Sequence, residues 1–221
     1  GDSPSAATER RRAALRAILQ HEASYDRLAD QIRTLPGSYL HSAPPDRIAD
    51  DLRQLSTLRD GEVKTWCRYV AETRTMEYTV GTNENITPGV FHKLTGGLSS
   101  QGLQILSADI NTLAGGLVLD RFVVLDPDFA AEPPAARVEE IKTRLATALK
   151  SDAPPAFRRV WQRAAKPAAD ALPALPTQVK IDNSTSENFT IIDVFARDRM
   201  GLLYTIARTL FELGLSVSLA K

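Results

Sequence analysis

Residues 196–221 read ARDRMGLLYTIARTLFELGLSVSLAK. The pattern predicts a strand end, a glycine-containing turn, an amphipathic helix and a second strand. An earlier stretch repeats it at a constant offset of 112 residues. Gly89 falls on Gly201, Val90-Phe91 on Leu202-Leu203, Leu94 on Ile206, Leu98 on Leu210, Gly102-Leu103 on Gly214-Leu215 and Ile105 on Val217. Turn glycine and helix-ending glycine are 13 residues apart in both copies. FTIIDVFA precedes the second copy as MEYTVGT precedes the first, so the chain carries an internal repeat. Lys221 lies opposite Asp109, and the second copy has no counterpart to the half running from Gly115 to Asn183.

Working outward from the first copy, strand MEYTVGT, the helix opened by Pro88-Gly89, strands LQILSADI and GLVLDRFVVLD, and a helix over 134–150 give the order β-α-β-β-α. The two strands flank a hairpin turn at Ala114-Gly115-Gly116. TQVKIDN (177–183) is the candidate for a last strand, which completes a ferredoxin-like βαββαβ unit with an antiparallel sheet. TWCRYV adds a strand before it, paired with MEYTVGT through the region of Glu72 to Thr75, and NFTIIDVFA follows VKIDN through the turn-rich NSTSE as a hairpin that fuses the second copy to the first unit's sheet. The expected core of this unit is Leu94, Leu98, Ile105, Phe122, Val124, Ile141 and Leu145. Upstream, apolar residues at three- and four-residue steps predict one helix over 6–34, ended by Pro36-Gly37, and a second over 45–60.

The fold class is therefore α+β, in three parts. Residues 1–62 form a helical connector, 63–183 a ferredoxin-like unit that includes a Pro-rich connector at 151–176, and 184–221 a partial second unit of βαβ form. Five of the thirteen prolines sit in that connector, which leaves room for one short helix over 156–164, pinned by Trp161.

Composition narrows the function. Acidic and basic residues balance at 27 each, which gives no bias toward nucleic acid. Arg158, Arg159, Arg163 and Lys166 read as a solvated turn, and no aromatic-rich strand motif accompanies them. No apolar run suits a membrane span and no secretory leader is visible, so a cytoplasmic location is the default. Cys67 has no internal disulfide partner and reads as a strand core residue. His21, His41 and His92 are too scattered for a metal set. No residue stands out as catalytic, since no nucleophile is accompanied by its base.

The strand followed by Asp-Arg-x-Gly-Leu-Leu, a helix and Gly-Leu-x-Val resembles the start of an ACT domain, the small ferredoxin-like module that senses amino acids. Two such copies, preceded by SYLHSAPPDRIADDLRQL and joined through VKIDNSTSENFTIIDVFA, resemble the C-terminal region of the bifunctional PII uridylyltransferase and uridylyl-removing enzyme family. The resemblance covers nearly the whole chain and is most specific after Val179. It implies a glutamine-sensing regulatory region that acts on catalytic domains upstream and, through them, on the PII signal protein. Magnesium would belong to the parent enzyme; this chain itself calls for no cofactor.

The resemblance places ligand contacts at the two turns: Asp198, Arg199, Met200, Gly201 and Leu202 in the second copy, Pro88, Gly89 and Val90 in the first. A helix N-terminus offers unpaired N–H donors to a carboxylate, and an adjacent acid holds an amino group. The family pattern is Asp-x-Pro-Gly. The first copy keeps the proline without the acid; the second keeps the acid without the proline. Asp198 is equally placed to cap the helix. The alternative function is a ligand-free interaction or oligomerisation module. Because the second unit is partial, its last strand, 215–221, is expected to present an edge for self-association.

Overall fold

The computed structural model describes residues 4–157, 176–186 and 189–221. Residues 4–56 hold four helices: α1 (Pro4–Leu19), α2 (Tyr25–Thr34), α3 (Gly37–Ser42) and α4 (Pro45–Ser56). The single helix expected over 6–34 is thus two helices. The chain turns at 20–24, so that α2 folds back and Leu28 and Ile32 join Leu15 and Leu19 in one buried cluster. The apolar stripe jumps from Leu19 to Tyr25, and the turn falls in that gap. Pro45 stands in the first turn of α4 with Asp46 beside it, as the sequence indicates.

The rest of the chain runs β1 (Lys64–Val70), β2 (Thr75–Asn83), α5 (Val90–Ser100), β3 (Gln104–Leu113), β4 (Leu117–Leu125), α6 (Ala135–Leu149), β5 (Gln178–Asp182), β6 (Ile191–Phe195), α7 (Leu202–Glu212) and β7 (Leu219–Ala220). The protein is α+β. The main sheet has the order β1-β2-β4-β3-β7 and is antiparallel throughout; β5 and β6 form a separate two-stranded sheet.

The expected closing strand, 177–183, does not join the first sheet. The edge beside β2 is taken by β1, with Lys64 opposite Gly81 and Val70 opposite Thr75. A strand that follows a four-residue turn closes a far shorter loop than one arriving after the long connector. β5 pairs with β6 in the same local way, Asp182 opposite Ile191. The hairpin is therefore part of the repeat. The helix expected over 156–164, with Trp161 and the basic residues Arg158, Arg159, Arg163 and Lys166, lies outside the described residues.

Alternation along each strand sends side chains to two different helix layers. On one face Leu113, Leu117, Leu119 and Trp66 meet helices α1 to α4. On the other, Met76, Tyr78, Val80, Phe122 and Val124 pack under α5 and α6, against Leu94, Leu98, Ile141 and Leu145. This is the core anticipated from the sequence, with Ile105 at its margin and half-buried Cys67 packed against it.

The helical layer is fixed to the sheet by a buried ionic cluster. Arg121 on β4 pairs with Asp51 on α4, and Asp51 also accepts hydrogen bonds from Tyr39 Oη at 2.8 Å and Trp66 Nε1 at 2.9 Å. Glu77 on β2 accepts from Arg47 of α4 and, at 3.1 Å, from Arg68 of β1. Burial pushes the Asp51 carboxyl up, partly countered by the Arg121 guanidinium. Burial raises Glu77 too, but hydrogen bonds from Arg68 and Arg47 outweigh it and hold its carboxyl below the ordinary value.

Candidate functional site

Each copy of the repeat enters its helix through a left-handed glycine. Gly89 has φ 70° and Gly201 φ 75°, and neither α5 nor α7 receives a side-chain cap. A residue with a Cβ is strained in this region, which explains why both turns need glycine. α5 and α7 are each 11 residues long and 112 apart, so the offset read from the sequence holds to the residue.

The two copies are arranged around an approximate two-fold axis. β3 pairs antiparallel with β7, and Ala108 lies opposite Ala220, its own repeat counterpart. The Ile110 N–H donates to the Ser218 carbonyl at 3.0 Å. Above this junction His92 faces its counterpart Tyr204, ring centroids 6.3 Å apart, and Phe211 at 4.8 Å. Close approach depends on Gly96: a Cβ there would lie 2.9 Å from both Tyr204 and Pro155.

A groove of about 560 Å³ opens on the solvent side of α5, between α6, α7 and the segment 151–156. That volume suits a small ligand. Pro88, Lys93 and Ser100 come from the first copy, Tyr204, Arg208 and Glu212 from the second, and Arg144 and Asp152 from α6 and the segment after it. Lys93 is well covered, its side chain 13% exposed, and donates to Thr87 Oγ1 at 2.7 Å and Asp152 Oδ1 at 3.0 Å. Arg208 pairs with Glu212 at 2.8 Å. Burial holds the His92 imidazole below its ordinary pKa, helped by the Lys93 and Arg208 charges, so the ring is neutral near pH 7. The site therefore offers both cations and anions beside an aromatic wall, the pattern needed to hold a zwitterion.

Of the residues flagged in the sequence, only Pro88 lines this groove. Gly89 sets the turn behind it, with Phe211 3.3 Å from where a Cβ would stand, and Val90 packs into the core. Asp198, Arg199 and Met200 are exposed, Gly201 is buried against Phe157, and Leu202 is half-buried. Asp198 accepts no hydrogen bond among the described residues, so the capping role is not the one it plays here. Arg208 and Phe211 stand three residues apart on one face of α7, and Tyr204, one turn before Arg208, is buried; nothing in that spacing marks a ligand wall. Lys93, Arg144 and Asp152 meet only through tertiary packing.

Among the described residues no group of three or more His, Cys, Asp or Glu side chains is placed to hold a metal ion. No described helix is long and apolar enough to cross a membrane.

No family model matches the chain. Among curated proteins it is similar to bifunctional uridylyltransferase/uridylyl-removing enzymes. The Novosphingobium aromaticivorans enzyme is 37% identical over 130 residues, 59% of this chain and 14% of the relative. The Erythrobacter litoralis enzyme is 30% identical over 185 residues, 81% of this chain and 20% of the relative. The Rhodospirillum rubrum enzyme is 31% identical over 147 residues, 66% of this chain and 15% of the relative. The chain thus matches a fragment of a much larger enzyme, spanning between 14% and 20% of the length of these relatives.

Proposed function

We propose that this chain, matching a fragment of the bifunctional uridylyltransferase/uridylyl-removing enzymes, is an ACT-type regulatory segment that senses glutamine and carries no catalysis of its own. In this reading it reports to the catalytic domains of its parent, and through them governs modification of the PII signal protein. The observation that carries it is the charged groove walled by both copies of the repeat. A ligand there touches both units at once, so its binding energy bears on how they sit together. Its carboxylate would be drawn to the cationic side chains and its ammonium to the acidic ones. The turns at Pro88–Val90 and Asp198–Leu202 position the helices that form the walls.

Calorimetric titration of the chain with glutamine, with alanine as the comparison, tests the reading. Binding near 1 mM, about 4 kcal/mol, is expected for a site of this exposure. Such binding is less than the roughly 5.5 kcal/mol of differential affinity that drives a full two-state switch, so the response would be graded. Equal heats for glutamine and alanine would count against it. Purified chain is also expected to show no uridylyl transfer and no uridylyl removal; turnover that scales with its concentration and survives repurification would overturn that part.

A second reading, a ligand-free assembly module, draws support from β7. Among the described residues β7 has one paired edge and one bare one. Here it pairs within the chain, and the bare edge is where a second copy would add.

A further inference from the structure

We propose that Asp152 is a built-in substitute for a ligand carboxylate. The groove accepts a small carboxylate-bearing molecule whose carboxylate takes Lys93 and releases Asp152 together with the segment that carries it. This rests on reading the groove as a ligand site, as above, but names the anchor, the competitor and the element that moves.

Lys93 is the best-covered cation in the groove for which a partner geometry is defined, and it emerges from α5 one turn after Gly89. An ammonium has three N–H donors. Two are used, on Thr87 Oγ1 and Asp152 Oδ1. The two partners differ in how firmly they are held. Thr87 is buried at 8% exposure in the turn that leads to Gly89. The Asp152 side chain is fully exposed, on the segment that follows α6. A pair with one fully solvated partner contributes little and is readily exchanged. A ligand carboxylate lying within the groove would face the same ammonium from a less solvated position, with the exposed Arg144 guanidinium at the groove wall as a second cation.

The charges also limit the ligand class. Glu212 lines the same groove, and a polyanion such as phosphate would meet that carboxylate as well as the departing Asp152. A monoanion that also carries an ammonium or amide suits the lining better. The consequence of binding is mechanical: Asp152 lies at the start of the chain that links α6 to the second copy, so the ligand frees the first residues of that link.

The test is calorimetric titration of the whole chain and of Asp152→Ala, Lys93→Gln and Lys93→Arg variants with glutamine, glutamate, succinate and inorganic phosphate. Removing the internal competitor in Asp152→Ala is expected to tighten carboxylate binding about two- to fivefold, the exchange value of an exposed pair. Lys93→Gln is expected to weaken it at least roughly tenfold, the loss of one charge-assisted bond, while Lys93→Arg retains most of it. Weaker or unchanged binding by Asp152→Ala overturns the proposal, as does preference for phosphate, or no carboxylate binding by either the parent chain or Asp152→Ala. Succinate binding through Lys93 without glutamine binding leaves this site standing and removes glutamine as effector. Glutamine binding indifferent to both Asp152 and Lys93 does the reverse.

Discussion

Asp120 is the residue at which folding and protonation are most directly opposed. It sits on β4 between Val80 and Ile110 on the neighbouring strands, fully buried, and neither carboxylate oxygen has a hydrogen-bond partner among the described residues. Burial pushes the carboxyl up to about 7, offset only in part by the backbone N–H of Asn111. An unfolded aspartate ionises near pH 4. Between those values the folded state holds a proton that the unfolded state has released, so stability falls as pH rises from about 4 to 7 and levels off above. Asp120→Asn removes this titration. The difference in stability between variant and parent is expected to grow in the variant's favour by up to about 4 kcal/mol between pH 4 and pH 8, read from urea unfolding at both ends. A difference that does not change with pH would mean that the carboxyl is solvated. Nothing in the strand pattern GLVLDRFVVLD marks Asp120 as unpaired while its neighbour Arg121 is paired. Alternation assigns the two to opposite faces, but only the helix layers decide that α4 offers Arg121 an aspartate and that Asp120 is buried with no partner for its oxygens among the described residues.

At the scale of elements, the joint between α4 and β4 carries a prediction of its own. Arg121→Met leaves Asp51 buried and uncompensated, which is expected to cost about 3 to 5 kcal/mol in denaturant unfolding. Adding Asp51→Leu should recover much of that loss, because an apolar pair of similar size replaces the charges; no recovery would show that Tyr39 and Trp66 depend on Asp51 for their placement. On the other face, Leu98→Ala truncates a side chain with no exposure at all, and a loss of roughly 2 to 5 kcal/mol is expected. A loss under about half a kcal/mol would place that side of α5 wrongly. The bounds of α5, α6 and α7 and this core were legible in the sequence because periodicity and glycine punctuation are local signals, and the 112-residue offset carried α5 onto α7 residue for residue; the break between α1 and α2 was not. Strand partners were legible only where a short turn-rich stretch joins neighbours, as 71–74 does for β1 and β2 and 183–186 for β5 and β6; that β5 stays out of the first sheet was not. Val179 and Ile181 alternate like any core strand, yet are 58% and 67% exposed in a hairpin with β6. Pairing there follows chain proximity, which alternation does not encode. The groove was legible only at Pro88, since its charges come from three helices and the segment after α6.

For the molecule as a whole, the arrangement of the two copies determines what surface is left over. In the first copy β4 lies between β2 and β3; in the second, among the described residues, β6 and β7 have no strand between them, and each pairs instead with a neighbour on one side only. Leu213, Leu215 and Leu219 are 69%, 50% and 51% exposed along the β7 end. The ladder from β3 to β7 is short, two residue pairs and the Ile110–Ser218 bond; it covers one edge of β7, and among the described residues no strand pairs with the other. An apolar strand edge in that condition is a template for another chain. This chain is therefore expected to self-associate through 215–221, and sedimentation velocity over a range of concentrations should show a mass that rises with concentration. The strand expected over 215–221 is confined to β7, Leu219–Ala220, with Leu215 in the irregular stretch before it; Leu215→Lys with Leu219→Lys places charge on and beside that strand without touching the two cores, since neither residue belongs to either cluster. That pair of changes should return the chain to a monomer while leaving its unfolding midpoint within the range of ordinary surface substitutions, about half a kcal/mol. A parent that sediments as a monomer at every concentration would show that pairing with β3 already satisfies the strand; an association unaffected by the two lysines would move the contact elsewhere, with the exposed Phe195, Val179 and Ile181 of the β5–β6 hairpin as the next surface to alter.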